Sequence, residues 1–328
     1  MRAIRFDGKH AVLVQDAPEP SLVPGEAIVR VLRAGVAECD VAAVRGRVPG
    51  APAILGHEFV GVVERVEPLP GRDAPPIGQR VVAAIEVVCG KCDLCRRGLS
   101  VHCRDLAMIG VSKRDGCFAE RVAVPIRSLA IVPAALPDDH AVLAVGAAAA
   151  LHAAQIVRLE GRGFITVLGE GPAALLAAQA MAKLNATVRL VGSDATRLAL
   201  AERWGVRHRH VDDVGRRQDQ DVVVDCTGGA SGLELALRLV RPRGTIILGA
   251  TPAPVAWEPG GVDLSALARH EIELVGARSG RIGDGVSALA EGRFDVSGLI
   301  TRRLRLSDGV AALRAAGDPG QVKVIIEM

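Results

Sequence analysis

The stretch FITVLGEGPAALLAAQAMAKLN, residues 164–185, decides the fold of half this chain. Its opening run, FITVLG, is short, apolar and partly β-branched, which favours a strand over a helix. From Pro172 onward it is rich in Ala and Leu, the pattern of a helix with proline at its first position. Between the two lies Gly169-Glu170-Gly171-Pro172-Ala173-Ala174, a GxGxxA sequence. Gly169 permits the tight turn, and Gly171 lets the backbone approach a pyrophosphate. The helix N-terminus beyond offers unpaired N–H groups to phosphate oxygens. A ligand-free βα turn is the bland alternative; the strand before and the helix after favour a dinucleotide.

The same rhythm continues outward. TVRLVG (187–192), a helix around Ala195–Trp204, DVVVDCTG (221–228), a helix at Gly232–Leu239 and GTIILGA (244–250) alternate strand and helix. That order predicts a parallel, doubly wound α/β sheet with right-handed crossovers. An Ala-rich helix over 139–158 precedes it. The end of the second strand decides which nicotinamide cofactor is taken. A carboxylate there binds the 2′-hydroxyl of NAD and repels the 2′-phosphate of NADP. Here it reads Gly192-Ser193, with Asp194 late and Arg197 a helical turn on. Room, a hydroxyl donor and a guanidinium predict NADP(H) over NAD(H), with Asp194 pulling the other way. Thr227, Gly249 and Ala250 at later strand ends complete the expected cofactor contacts.

Before residue 130 the pattern differs: Val/Ile-rich runs such as AIVRVLRAGV (27–36), FVGVVERVE (59–67), RVVAAIEVV (80–88) and FAERVAVP (118–125) are broken by Gly and Pro. They predict a β-rich, barrel-like domain, with Pro68–Gly78 as a surface loop. The full length, 328 residues, suits two domains. Five Phe, two Trp and no Tyr leave Ala and Val to fill the cores. The net charge is +3, with acidic residues interleaved even in the basic stretch Arg203–Arg217. Nucleic acid is therefore not an expected partner. The N-terminus lacks the apolar core of a signal peptide. The apolar run Ala141–Val157 is short and interrupted by His152 and Gln155, so it reads as a buried helix and no membrane association is expected. The expected location is the cytoplasm, with cysteines as thiols or metal ligands.

Four of the seven cysteines, Cys89, Cys92, Cys95 and Cys103, fall in one loop as C-x2-C-x2-C-x7-C. Four thiolates at such spacing close a tetrahedron around one structural zinc per chain; an iron–sulfur cluster is the rival. A closed site offers no position to substrate, so its role is to order the loop. His102 reads as an exposed loop residue.

PGEAIVRVLRAGV (24–36), GHEFVGVV (56–63), the four-cysteine lobe, VLGEGPAALLAAQ (167–179), GLELALRLVRPRGTIILG (232–249) and VKVII (322–326) occur in the order found in the medium-chain dehydrogenase/reductase superfamily. The whole chain resembles that superfamily's zinc-dependent alcohol dehydrogenase-like branch. The resemblance implies a GroES-like β-barrel catalytic domain over 1–146 carrying the zinc lobe at about 86–105. It further implies a Rossmann domain over 147–277 and a return to the first domain over 278–328. A homodimer or homotetramer acting on a small-molecule substrate in the cleft between domains is implied as well.

Against that family's catalytic-zinc pattern, His57 of GHE is present, but Ala37 stands where a cysteine ligand is usual and Val145 where an acidic ligand is usual. Cys39 falls at the hydroxyl of the proton relay, Ala42 at its outer position, and Glu38 near the pyrophosphate. Lys323 matches the family's basic pyrophosphate contact, and Asp40 the carboxylate that orients the zinc histidine. The main expectation is thus a degenerate site: a zinc-independent, NADP(H)-preferring oxidoreductase delivering hydride to a conjugated or carbonyl compound. His57, paired with Asp40, would serve as general acid/base. The alternatives are non-redox catalysis (a lyase, cyclase or isomerase), a catalytically silent binding protein, and an alcohol dehydrogenase whose zinc site is rebuilt from Cys39, His57 and Glu58.

Overall fold

A computed structural model describes residues 1–46, 50–71, 73–215, 217–249 and 262–328. The strand Gly163–Leu168 lies inside a six-stranded parallel sheet. In spatial order the strands are Arg207–His210, Ala186–Gly192, Gly163–Leu168, Gln220–Asp225, Val240–Leu248 and Glu273–Gly276. The first strand in sequence therefore sits in the middle and the order reverses beside it, the doubly wound arrangement expected from the alternating pattern. Covered on both faces, the central strands bury Ile165, Val167, Val223, Val224, Ile246 and Ile247 completely.

Gly169 turns the chain at φ +111°, a conformation that L side chains resist. Gly171 caps the helix Pro172–Met181, whose residues from Ala174 onward are all buried. That helix stops at Met181, short of Asn185. Lys183 and Leu184 donate to carbonyls only three residues back, so the chain tightens before entering the next strand. The expected helix over 139–158 is likewise two pieces, Asp138–Ala141 and Ala144–Ile156. The break comes where Leu143 N–H donates to His140 O, again a three-residue bond.

Residues 146–280 form one compact unit, and residues 1–145 with 281–328 form another. The second is built around Glu26–Gly35, which pairs antiparallel with Glu58–Glu67, Arg121–Pro125 and Lys323–Glu327. Lys323–Glu327 also runs parallel to Ile300–Arg305. Arg80–Ala83 and Leu129–Ile131 extend the sheet beyond Glu58–Glu67. Val29, Val31, Phe59, Val63, Val122 and Ile326 belong to its core, each buried side chain worth about 1.5–3 kcal/mol. Two bulges between Glu26–Gly35 and Glu58–Glu67 bend the pair, which ends with Gly35 opposite Glu58. The run 80–88 divides between two sheets: Glu86–Val87 leaves to join Ala107–Ile109 and Lys113–Arg114 at the base of the cysteine lobe. Among the described residues, no helix is long and apolar enough to cross a membrane.

The loop Leu55–Gly56 that leads into His57 rests directly on Gly116. A Cβ at Gly116 would lie 2.1 Å from Gly56 O and 2.4 Å from Leu55 O, both backbone atoms with no freedom to yield. Gly116→Ala is expected to destabilise the protein by roughly 1–3 kcal/mol. Urea unfolding measures it, and an unchanged midpoint would show that the loop moves aside at no cost.

Candidate active site

The paired strand ends bring two short segments together. After Gly35 the chain turns at Ala37 into the helix Glu38–Val44, with Cys39 and Asp40 in its first turn. On the partner strand, Gly56 and His57 lead into Glu58. Asp40 ties the segments to each other: Oδ2 accepts Ala37 N–H at 2.8 Å, and Oδ1 accepts Gly56 N–H at 3.1 Å. The carboxylate is 1% exposed. Burial raises its pKa, while His57 and the Ala37 N–H oppose the rise.

Held this way, Cys39 Sγ stands 3.8 Å from His57 Nδ1. Sulfur and nitrogen ligands of one tetrahedral zinc, at about 2.3 and 2.1 Å from the metal, lie roughly 3.6 Å apart. Ligand atoms of Cys39, Asp40 and His57 all fall within 4.8 Å of one another. Burial pushes the Cys39 thiol well up, reinforced by Asp40 and Glu58 and opposed by Lys323. An adjacent dication reverses that preference and favours the thiolate. The donor set fits a zinc ion.

Glu58 faces elsewhere. Its Oε2 accepts Lys323 Nζ at 2.6 Å, and the same ammonium donates to Val36 O at 3.1 Å. Lys323 is 2% exposed, so its charge is spent inside this unit. Gly35 makes room for the pair, since a Cβ there would lie 2.8 Å from Glu58 Oε2 and 2.7 Å from Val142 Cγ1. Ala37 and Val145 bring no ligating atom.

In the lobe the four cysteines converge. Sulfur separations are 4.0 Å for Cys89–Cys95, 4.0 Å for Cys92–Cys103 and 3.5 Å for Cys89–Cys103. A tetrahedron of thiolates about 2.3 Å from zinc has edges of about 3.8 Å. Backbone N–H groups of Cys89, Cys92 and Cys95 each point at a sulfur, of Cys103, Cys89 and Cys92 respectively. Backbone N–H groups of Arg104 and Cys95 draw the Cys92 thiol down to about 6, whereas Cys95 is pushed up to about 12, chiefly by desolvation. Four sulfurs at this spacing cannot all be anions unless a cation sits among them. They fit one zinc.

The other unit carries the glycine turn. Gly171 caps its helix without a side-chain bond, which leaves the first N–H groups of Pro172–Met181 to an outside acceptor. Thr227 N–H and Oγ1 both donate to Asp225 Oδ1, at 2.8 and 2.7 Å. Gly249 N–H donates to Asp225 O. Arg197 lies 3.5 Å from Asp194, which caps the helix Ala195–Ala199. Ala250 lies outside the described residues. One residue was absent from the expected set: Glu170, whose carboxylate accepts Ser193 N–H at 2.6 Å and Ser193 Oγ at 3.0 Å. Its signal was an acidic residue inside a glycine turn beside a strand that ends in Gly192.

Residues 23–134 match the model of the alcohol dehydrogenase GroES-like domain. The L-threonine 3-dehydrogenase of Chelativorans sp. (strain BNC1) is 31% identical, over 97% of this chain and 96% of that protein. The sorbitol dehydrogenase of Halalkalibacterium halodurans is 28% identical, over 95% and 94%. Among solved structures, a protein of Sinorhizobium meliloti 1021 described as a zinc-binding dehydrogenase and bound to NADP is 26% identical. It matches with a TM-score of 0.87, over 100% of this chain and 99% of its own. The GroES-like fold joined to a Rossmann sheet is thus as expected.

The expectation of a degenerate, zinc-independent site is overturned. Cys39, Asp40 and His57 converge as a group able to hold a metal ion, and the relatives are dehydrogenases of L-threonine and sorbitol. Counting along the chain to Ala37 misses the thiol because the helix starts there and Cys39, two residues on, faces the histidine. His57 belongs to that group, its Nδ1 beside the Cys39 thiol, rather than standing as an isolated acid/base. Of the alternatives, the rebuilt zinc site is the one the cluster and the relatives favour. Of the carboxylates, it is Asp40 that lies in the cluster, while Glu58 is ion-paired to Lys323.

Removing one partner of a buried ion pair leaves an uncompensated charge. Lys323→Met is expected to cost roughly 3–5 kcal/mol of stability, and adding Glu58→Gln to recover a large part of it. Urea unfolding of both variants decides; a single variant as stable as the parent would show that the pair contributes nothing to folding.

Proposed function

We propose that this chain, which belongs to the zinc-type alcohol dehydrogenase-like branch of the medium-chain dehydrogenase/reductase family, is a zinc-dependent, nicotinamide-linked dehydrogenase of a small polar alcohol. The observation that carries the reading is the convergence of Cys39, Asp40 and His57. The substrate class, a polyol or hydroxy amino acid, follows the relatives that share nearly the whole chain. Cys39 Sγ and His57 Nδ1 would hold the catalytic ion, and Asp40 would stand as the third member or fix the other two. Zinc supplies Lewis acidity, lowering the pKa of a substrate hydroxyl and polarising the product carbonyl. A nicotinamide dinucleotide supplies the hydride acceptor.

The protein's own contribution is placement. Asp40 holds both backbone segments and so sets the separation of thiol and imidazole. The Glu58–Lys323 pair backs the histidine segment and keeps a second carboxylate charge neutralised next to the site. In the residues 146–280 unit, Gly169 and Gly171 bring the backbone to the pyrophosphate, and the helix N-terminus offers its N–H groups. The four-cysteine lobe would hold a second, structural zinc. The same reading extends to a homodimer or homotetramer in the cytoplasm, with domains dividing near residues 146 and 278.

Elemental analysis of protein purified without chelators is expected to give two zinc ions per chain, falling to one in Cys39→Ala and one in Cys103→Ser. Oxidation of sorbitol, L-threonine and simple alcohols should fall by roughly a hundredfold or more in Cys39→Ala, the loss of several kcal/mol of Lewis-acid stabilisation. A parent protein with a single zinc, retained in Cys39→Ala, would refute the proposal.

A further inference from the structure

The structure assigns to Glu170 the recognition of the adenosine ribose: we propose that its carboxylate selects NAD(H) over NADP(H). The inference rests on the dinucleotide reading of the Gly169–Ala174 turn and deepens it.

A carboxylate that discriminates the two cofactors ordinarily stands at the end of the second strand, where it accepts the ribose 2′-hydroxyl. In this chain that strand, Ala186–Gly192, ends in glycine. The space is nonetheless filled. A Cβ at Gly192 would lie 1.8 Å from Glu170 Oε2 and 2.9 Å from Glu170 Cδ. The carboxylate of Glu170 therefore occupies the volume that a strand-end side chain would take. It reaches there from the glycine turn, one strand away.

The carboxylate is fixed in place. Ser193 N–H donates to Oε2 at 2.6 Å, and Ser193 Oγ donates to Oε1 at 3.0 Å. Each oxygen has two acceptor positions, so each keeps one for a sugar hydroxyl. The three groups that favour a 2′-phosphate when the residues are read in line are all engaged. Glu170 fills the space beside Gly192, the Ser193 donors point at Glu170, and Arg197 is ion-paired with Asp194. A 2′-phosphate carries roughly −1.5 to −2 charges and accepts hydrogen bonds without donating any, so against a carboxylate it meets only repulsion. A hydroxyl meets an acceptor. Gly192 and Glu170 form a complementary pair: the strand-end side chain is absent because the turn supplies the carboxylate.

Calorimetric binding of NADH and NADPH to the zinc-loaded protein tests this without reference to turnover. The parent is expected to bind NADH more tightly by roughly tenfold or more. In Glu170→Ala the NADH affinity should fall and the NADPH affinity rise until the two are nearly equal. Glu170→Gln, which keeps the shape but not the charge, should gain NADPH affinity while retaining most of its NADH affinity. Glu170→Ala with Gly192→Asp returns a carboxylate to the strand end and should restore the preference. Equal or tighter NADPH binding by the parent, or a ratio unmoved in a Glu170→Ala protein of unchanged melting temperature, overturns the assignment. Binding of neither cofactor would refute the dinucleotide reading and this one with it.

Discussion

Two hydrogen bonds to one buried carboxylate hold the chemistry of this protein together. Asp40 is almost wholly buried, and each of its oxygens accepts one backbone N–H, from Ala37 and from Gly56. Burial alone would favour a neutral acid. The neighbouring imidazole and the two N–H donors oppose that effect, and the carboxyl still stays above its usual range. The return on that balance is geometric: two strand ends, one opening a helix and the other entering through a glycine loop, are locked at a separation that suits a shared ion. Cys39 and His57 meet at 3.8 Å as a result. Gly35 and Gly116 serve the same end by absence, since a methyl group at either would push against the Glu58 side chain or the Gly56 carbonyl.

Much of the fold was legible because its signals are local. A glycine turn between strand and helix, or four cysteines within one loop, carries its geometry within a few residues of chain. Sheet order followed from the alternation of elements, since short right-handed crossovers leave few arrangements. Boundaries were less legible where three-residue hydrogen bonds broke an otherwise helical pattern, as at Leu143 and Leu184. The centre at Cys39 and His57 was harder. Position 37 looked empty, and only the helix turn shows that position 39 faces the histidine. Lys323 matches the pyrophosphate contact that the resemblance implies; its bond to Glu58, between residues 265 positions apart, is one that no local pattern encodes.

Both functional centres share a further property. At each, on the proposed reading, the group that the chemistry needs is supplied from another backbone position. A thiol comes from 39 where 37 has none, and a carboxylate comes from 170 where 192 has none. Spatial coincidence is what recognition and catalysis require, and a side chain several ångströms long can satisfy it from more than one place in the chain. Comparison by aligned column therefore records a loss where the three-dimensional arrangement retains the group.

The strand Lys323–Glu327 has a consequence for how the protein is made. It hydrogen-bonds to Glu26–Gly35 and carries the lysine that neutralises Glu58, yet it is translated after the whole of the 146–280 unit. At about 5–20 residues per second, the nascent first segment waits tens of seconds on the ribosome for that strand and its counter-charge. Throughout that interval the Arg33–Gly35 end of one edge lacks its partner strand, while Glu26–Arg30 on the same edge can already pair with Arg121–Pro125, and Glu58 lacks Lys323. The parallel sheet has its last strand, Glu273–Gly276, about 50 residues earlier, a lead of roughly 2–10 seconds. Synthesis thus supplies the strands of the inserted unit before the strand that closes the Arg33–Gly35 end of the other unit's sheet, and leaves that end open to neighbours in between.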